Sequence, residues 1–319
     1  MTLVASQTDR PHRAHGLAHE LLARCASLPP LTTAVVHPCD PLSLAGAVQA
    51  AVAGLIRPIL VGPEAKIRAA AAEAGLDISA YALEPAPHSH AAAARAVALV
   101  REGKAAMIMK GSLHTDELMH EVVDTQTGLR TARRISHAFL MDVPTYPRPL
   151  MITDAAINVL PDLETKRDIV QNAIDLAHAL KIEDPRVAIL AAVETVTPKL
   201  PSTIDAAALC KMADRGQITG GRVDGPLAFD NAVSVEAATE KGIVSEVAGR
   251  ADILVVPDLE AGNMLVKQLT FLAGADAAGI VLGARVPIVL TSRADSEQAR
   301  VISCAVGVLM DQARPAVTA

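Results

Sequence analysis

Aromatic side chains are scarce in this sequence of 319 residues, which contains two Tyr, three Phe and no Trp. Hydrophobic residues nevertheless make up 51% of the chain, so its core must be aliphatic. Buried parallel sheets and the helices that cover them favour such residues. Because a typical domain has about 150 residues, the length predicts two domains.

Excess positive charge is also lacking, since the formal net charge is -6 at pH 7. A chain without a basic surface cannot replace the counterions of a nucleic acid, and one with few aromatic residues has little on which bases can stack. We therefore expect no nucleic-acid partner.

Closely spaced cysteines and long apolar runs are missing too. Four cysteines lie far apart in the sequence, without the spacing of a zinc site or a redox pair, at Cys25, Cys39, Cys210 and Cys304. They are interpreted as buried thiols in a reducing compartment. The longest weakly polar stretch, 42–56, is shorter than the roughly 20 residues of a membrane span. Charged residues early in 1–24 do not follow the order of a signal peptide. We expect no membrane partner and a cytoplasmic location.

Several common catalytic motifs are absent from the sequence. It contains no GxGxxG, GxxxxGK[ST], HExxH or GxSxG pattern. The sequence therefore lacks the motifs that are typical of a dinucleotide-binding enzyme, a nucleoside triphosphatase, a zinc protease or a common lipase. The chemistry must come from residues dispersed over several turns.

The pattern that is present is an alternation of short apolar runs with Ala-rich helical segments. It predicts strands at 33–36, 58–61, 105–109, 150–153, 187–193, 253–256 and 287–290. It predicts helices at 45–55, 64–74, 91–101, 166–180 and 297–312. Such alternation indicates an α/β fold with mostly parallel sheets. A Pro-rich segment, 143–149, separates two sheet-like halves, and the last helix could belong to either half.

In open α/β sheets, ligands bind where strands end, so the turns after the strands are candidate sites. The turn from Lys110 to Thr115 combines Gly111 and Ser112 with a following helix, which suits an anion, although Thr115 could simply cap that helix. An arginine cluster, Arg130, Arg133 and Arg134, could grip phosphate or could form a solvated helix face.

Three further turns have the same arrangement. The turns from Asp154 to Asn158 and from Asp258 to Asn263 place an acidic residue after a strand, to orient a base or to cap a helix. Gly262 permits close backbone approach. After the last strand come Ser292 and Arg293, which suit an anion, although a buried structural arginine is the alternative. Either Asp295 or Ser296 is expected to open the last helix.

Eight segments, taken in order over about residues 30 to 312, resemble the phosphate acetyl/butyryltransferase family. They are KGSLHT at 110–115, RISHAF at 134–139, TDAAIN at 153–158, AVE at 192–194, PST at 201–203, DGPLAFDNAVS at 224–234, PDLEAGN at 257–263 and LTSRAD at 290–295.

The resemblance implies two α/β/α domains like those of isocitrate and isopropylmalate dehydrogenases, with an active cleft between them. The first domain would comprise 1–138 and 284–319, and the second 139–283. The implied reaction converts acyl-CoA and phosphate into acyl phosphate and CoA by direct attack in a ternary complex. It implies a homodimer acting on small molecules, with CoA as a substrate, no permanently bound cofactor and no metal.

The resemblance also implies roles for particular residues. Ser292 and Arg293 match a pair that holds the acyl phosphate, and Arg134 matches a second arginine, with Arg133 as the alternative register. We expect Ser292 and main-chain N–H groups of 110–115 to stabilise the oxyanion. The complete set of candidates is catalytic Ser292, Arg293 and Asp295, and substrate-binding Lys110, Ser112, His114, Thr115, Arg133, Arg134, Asp154, Asn158, Gly262 and Asn263.

One position departs from the acetyl-type pattern. Acetyl-type members carry an Asp seven residues after the serine, and here Ala299 stands there. The run from Ser292 to Ser296 looks more like the butyryl-type branch, and Asp295 is the nearest substitute for the missing base. Two other readings remain open: an acyl-CoA-binding sensor without activity, and a decarboxylating dehydrogenase that needs a metal and NAD.

Overall fold

The computed structural model describes residues 16–292 and 295–314. The strands are β1 Leu31–Val36, β2 Ile56–Gly62, β3 Ala82–Pro85, β4 Met107–Lys110, β5 Ser136–Asp142, β6 Leu150–Thr153, β7 Arg186–Leu190, β8 Arg222–Leu227, β9 Ile253–Val255, β10 Asp276–Leu282 and β11 Ile288–Val289. The helices are α1 Leu17–Cys25, α2 Pro41–Val52, α3 Glu64–Ala74, α4 Ser89–Arg101, α5 Thr115–Val123, α6 Leu163–Ala179, α7 Pro201–Asp214, α8 Phe229–Val233, α9 Val235–Glu240, α10 Leu259–Ala273 and α11 Glu297–Ala313.

All seven predicted strands and all five predicted helices are confirmed. The strands that the sequence did not predict are β3, β5, β8 and β10. β3 is short and partly exposed, and β8 contains a Gly-Pro pair, so neither has the continuous apolar run of a buried strand. β5 and β10 are buried, but each mixes polar or small residues with its apolar ones.

The strands form one sheet in the order β3-β2-β1-β4-β11-β10-β5-β6-β9-β7-β8. Two sets of parallel strands lie at its ends. The first set consists of β1 to β4 with β11, and the second set consists of β6 to β9. The antiparallel strands β10 and β5 join them. The Pro-rich segment 143–149 is the hairpin connection between β5 and β6.

The register of the central strands brings the ends of the two sets to one level. Val289 pairs with Ile280, Ile280 with Ala138, and Ala138 with Thr153, which makes one row across β11, β10, β5 and β6. Val289 ends β11 and Thr153 ends β6, so both sets reach their carboxyl ends at this row. The turns that follow these two strands therefore lie near the middle of the sheet.

The last helix packs against both sides of the molecule. α11 contacts α2 on the side of the first set, α6 on the side of the second set, and β10 between them. Its buried residues join an aliphatic core that also contains Leu44, Ile174 and Ile280. α11 thereby fixes the residue that caps it, Ser296, relative to both sets.

Candidate active site

The turn after β4 is tied to the end of β1. The N–H of Gly111 donates to the Val36 carbonyl at 2.9 Å, and the N–H of Ser112 donates to the His37 carbonyl at 3.0 Å. A Cβ on Gly111 would lie 2.4 Å from the Val36 oxygen, so only glycine fits there. Carbonyls of the protein thus occupy two of the N–H groups in 110–115 that we expect to stabilise an oxyanion, which argues against that role for Gly111 and Ser112.

The side chains of this turn are also held. The Ser112 hydroxyl lies 2.8 Å from the His37 carbonyl oxygen, to which it donates, and 3.1 Å from the His37 Nδ1. Lys110 is buried, with its Nζ 3.4 Å from the Gly111 carbonyl oxygen. Ser112 and Gly111 line a cavity of about 370 Å³ together with Asp40 and Arg300.

The start of α5 differs from the expectation that Thr115 caps it. The N-cap residue is His114, and Thr115 is the first residue of the helix. The N–H of His114 donates to the Glu117 carboxylate at 2.7 Å, so this group too is unavailable to an oxyanion. The side chain of His114 is exposed and that of Thr115 half-buried.

The turn after β11 is closed by Asp295. Its carboxylate accepts from the N–H of Ser292 at 2.6 Å, and its own N–H donates to the Ser292 carbonyl at 3.2 Å. Ser296, whose hydroxyl accepts from the Ala299 N–H at 3.1 Å, is the residue that caps α11. The predicted phosphate ligand Arg293 lies outside the described residues.

A buried cation that the sequence did not suggest lies behind this turn. Arg300 in α11 is 2% exposed, and its guanidinium donates to the Thr291 hydroxyl at 2.8 Å and to the Ser292 carbonyl at 3.0 Å. Burial lowers its pKa, and the carboxylates of Asp295 and Asp40 oppose that shift. A signal existed in the sequence: Arg300 lies at the helical spacing of Cys304 and Gly307, on an otherwise apolar face of α11.

The turn after β6 is organised by a buried carboxylate. One oxygen of Asp154 accepts from the N–H groups of Ala156 and Ile157, at 3.0 and 3.1 Å. The other accepts from the N–H of Asn158 at 3.2 Å and from its side-chain amide at 2.6 Å. Both carboxylate oxygens are thus occupied within the turn. The expectation that Asp154 caps the next helix is wrong, because that helix, α6, is capped by Asp162. The amide of Asn158 also donates to the Ile135 carbonyl, just before β5, at 2.9 Å.

Gly262 and Asn263 hold the start of α10 against the Asp154 turn. A Cβ on Gly262 would lie 2.8 Å from Val256 Cγ2, 2.9 Å from Ala155 Cβ and 3.0 Å from the Asp154 carbonyl oxygen. The Asn263 amide donates to the Ala155 carbonyl at 3.3 Å. Gly262 therefore packs closely against the protein itself, and its contact with substrate stays a prediction.

His137 lies between the turns of the two sets. It is fully buried, and its Nε2 lies 3.2 Å from the carbonyl oxygen of Leu290. A carbonyl can only accept, so Nε2 carries the proton. Burial lowers the pKa of His137, while the charges of Asp154 and Asp295 act in the opposite direction. The carbonyl of His137 accepts from the Thr153 hydroxyl at 2.8 Å, so His137 contacts the ends of both β11 and β6.

The structure separates the two arginines of the alternative registers. Arg133 contacts Asp175 of α6 and lines a cavity of about 760 Å³ that includes Arg314. Arg314 follows α11 and Arg300 is in its first turn, so at 1.5 Å per residue this cavity is about 20 Å from the Ser112 cavity. Arg134 is also held by α6, since its N–H donates to the Asp168 carboxylate at 2.9 Å and its carbonyl accepts from the Asn172 amide at 2.9 Å. The side chain of Arg133 therefore belongs to the distant cavity, and the role of the Arg134 side chain stays a prediction.

Over the ranges that the structure describes, no cluster of three or more His, Cys, Asp or Glu side chains could hold a metal ion. Within the same ranges, no helix is both long enough and apolar enough to span a membrane.

The fold is shared with solved structures. A branched-chain phosphotransacylase from Enterococcus faecalis V583 aligns with a TM-score of 0.76 and 29% identity, covering 88% of this chain and 99% of that one. A 4-hydroxythreonine-4-phosphate dehydrogenase from Klebsiella pneumoniae aligns with a TM-score of 0.52 and 15% identity, covering 90% and 99%, which shows likeness of fold alone. The expected α/β fold with dehydrogenase-like neighbours is confirmed.

Curated relatives are more similar in sequence. The phosphate acetyltransferase of Rhizobium meliloti is 68% identical over 91% of this chain and 92% of its own length. The phosphate butyryltransferase of Clostridium acetobutylicum is 45% identical over 81% and 85%. The chain is thus more similar to the relative named as an acetyltransferase than to the one named as a butyryltransferase. The segment from Ser292 to Ser296, taken alone, had indicated the butyryl-type branch.

The model of one protein family, described as phosphate acetyl/butaryl transferase, matches residues 86–308. This range contains every turn of the candidate site that follows β4, β6, β9 and β11. The match covers more than half of the chain and agrees with the relatives, so the chain belongs to the phosphate acetyl/butaryl transferase family.

Proposed function

We propose that this enzyme transfers a short acyl group reversibly between CoA and inorganic phosphate. The observation that carries the proposal is the placement of Ser292: its carbonyl is held by the buried guanidinium of Arg300, which lines a cavity with Ser112, and His137 joins the end of β11 to the end of β6. Membership of the family supports the same reaction. CoA is then a substrate, and the chemistry needs no permanently bound cofactor.

The reaction can proceed by direct attack with both substrates bound. A phosphate oxygen attacks the thioester carbonyl carbon, a C–O bond forms, and the tetrahedral intermediate collapses with cleavage of the C–S bond. The CoA thiolate leaves with the electron pair, and because thiols have a pKa near 8.5 it needs little acid assistance. The protein must therefore supply position and positive charge more than proton transfer.

Residues after β11 are the best candidates for that task. Arg293 would align the phosphate through its planar two-point grip, and the Ser292 hydroxyl would donate to the oxyanion. Arg134 remains the candidate for a second phosphate contact, since Arg133 lines the distant cavity. Asp295 is assigned to closing the turn, because its carboxylate is committed to the Ser292 N–H.

We place the enzyme in the cytoplasm as a homodimer. The four cysteines are free thiols, and burial raises the pKa of Cys25 to about 11 and that of Cys304 to about 12, as suits unreactive thiols in a reducing compartment. One surface of α10 exposes large apolar side chains, with Met264, Phe271 and Leu272 exposed at 60%, 73% and 84%. This α10 surface is our candidate for the contact between two copies of the chain.

The decisive experiment is a thiol-release assay over acetyl-, propionyl-, butyryl- and longer acyl-CoAs, with and without phosphate or arsenate. We expect release only when one of these anions is present, and no loss of activity with a chelator. Release without phosphate would indicate a thioesterase. Tight CoA binding without turnover on any acyl chain would favour the sensor, and a requirement for metal and NAD would favour the dehydrogenase.

A further inference from the structure

Arg300 is a buried charge for which the proposed reaction has no direct use. It lies on the inner face of α11, beside Cys304, which is 0% exposed. A charged group in such a position is costly unless hydrogen bonds compensate for the lost water. The contacts of this guanidinium therefore indicate what it stabilises.

Among the described residues, the two hydrogen-bond partners of the Arg300 guanidinium belong to the turn that follows β11. One terminal nitrogen donates to the Thr291 hydroxyl at 2.8 Å, and the other donates to the Ser292 carbonyl at 3.0 Å. Its Nε has no partner among the residues that the structure describes. The guanidinium thus engages two consecutive residues of the turn with one planar group.

Helix α2 fixes the aliphatic part of the same side chain. A Cβ on Gly46 would lie 2.4 Å from the Arg300 Cδ and 3.0 Å from its Cβ. The absence of a side chain at Gly46 therefore leaves the space through which Arg300 reaches the turn. Any larger residue in this part of α2 would push the arginine aside.

We propose that Arg300 is a positioning residue, which sets the Ser292 turn so that the turn can receive phosphate. It acts through the Thr291 hydroxyl and the Ser292 carbonyl, and so fixes the main chain of Ser292 relative to Arg300, which itself lines the cavity with Ser112. A lysine cannot replace it, because an ammonium group lacks the planar fork that holds two acceptors at once. The proposal rests on the proposed function, since phosphate is taken as the ligand of this turn.

The test compares phosphate kinetics with acyl-CoA kinetics in Arg300→Lys, Arg300→Met and Gly46→Ala. We expect the KM for phosphate to rise by about 10-fold or more when a charge-assisted contact behind the turn is lost, with the KM for acyl-CoA changed by less than about 2-fold. Gly46→Ala should shift phosphate kinetics in the same direction, although the arginine itself is retained.

Gly307→Ala is the matched control. It adds the same methyl group to a buried glycine of α11, where the new Cβ would meet the flexible Met107 side chain at 2.4 Å, away from the turn. We expect this variant to keep the wild-type KM for phosphate. Melting temperatures of all variants separate loss of fold from loss of positioning, and Arg300→Lys and Gly46→Ala decide the question if Arg300→Met does not fold.

Folded Arg300→Lys with an unchanged KM for phosphate would overturn the proposal, as would an equal rise in both KM values. Calorimetric titration with inorganic phosphate separates this failure from a failure of the proposed function. If the wild type releases no CoA but binds phosphate more tightly than Arg300→Lys does, the positioning role stands and the reaction is wrong. If the two proteins bind phosphate equally, or neither binds it, the positioning role is wrong.

Discussion

The Nε2 of His137, on β5, lies 3.2 Å from the carbonyl oxygen of Leu290, the residue that follows β11. The contact crosses β10 at Gly279, where a Cβ would lie 3.1 Å from that nitrogen and 2.4 Å from that oxygen. A glycine in the strand between them thus allows a neutral imidazole to hold the turn that carries Ser292. Since burial keeps His137 neutral, this contact should depend on pH.

The pKa of His137 is lowered in the folded state. The neutral imidazole therefore makes its full contribution to the free energy of unfolding above pH 6.5, about the pKa of a histidine in the unfolded chain. This contribution is lost as the pH falls from there toward the lowered pKa of the folded state. Below about pH 6.5 only the unfolded chain takes up this proton, which costs about 1.4 kcal/mol of stability per pH unit. His137→Gln keeps a donor but cannot titrate, so it should lose less stability than the wild type between pH 7 and pH 5. Urea unfolding at both pH values measures this.

The control for that comparison is His120→Gln, which replaces an exposed histidine. It should lose as much stability as the wild type on acidification. An identical acid loss in His137→Gln and wild type would contradict the assignment of a buried neutral imidazole.

Asp154→Asn should destabilise the protein by about 2 to 3 kcal/mol, because the new NH2 group would face two N–H donors whichever way the amide is oriented. Chemical denaturation measures the loss, and Asp116→Asn, at an exposed position in the first turn of α5, is the control. Wild-type stability combined with loss of turnover would instead make Asp154 a catalytic group.

Asp295→Asn should leave the pH profile of the CoA-consuming direction unchanged. Position 299 carries no carboxylate and the Asp295 carboxylate is bound to the Ser292 N–H, so the rate should follow ionisation of the CoA thiol and rise toward pH 8 to 9, around a pKa of about 8.5. Initial rates from pH 6 to 9 test this. A plateau near pH 6 to 7 that disappears in the variant would identify Asp295 as a working base.

Arg293→Ala should reduce turnover by about 100-fold or more, and Arg293→Lys should also lose most activity, because a lysine conserves the charge without the two-point geometry. The loss should appear in phosphate and acyl phosphate kinetics while CoA binding stays near the wild-type value. Arg133→Lys is the matched control, since Arg133 contacts Asp175 in a distant cavity. Near-normal phosphate kinetics in Arg293→Ala would show that another residue binds phosphate.

Phe271→Glu should convert a dimer to a monomer, because it places a charge within the proposed α10 contact surface. Light scattering coupled to size-exclusion chromatography measures the mass. Val52→Glu is the control, since Val52 is exposed to a similar extent, 75% against 73%, but lies at the end of α2. A dimeric Phe271→Glu variant would place the contact elsewhere.

The sequence by itself determined the fold class, seven strands, the aliphatic core and the family. These features depend on local periodicity and on motifs, which are readable from neighbouring residues. It also identified the turns after β4, β6, β9 and β11 as the candidate site, because ligand turns follow strands in α/β sheets.

Only the tertiary structure decided which groups in those turns are available for chemistry. The N–H groups of Gly111 and Ser112 look like anion donors in sequence, yet carbonyls at the end of β1 occupy them, because β1 and β4 are adjacent in the sheet. Arg133 and Arg134 are neighbours in the chain and both contact α6, yet it is the Arg133 side chain that lines the distant cavity. In the sequence, Arg300 is an ordinary charged residue of a predicted helix, and only the structure shows that α2 and β11 enclose it. Hydrogen-bond occupancy and burial depend on partners remote in sequence, and one chain read alone does not name those partners.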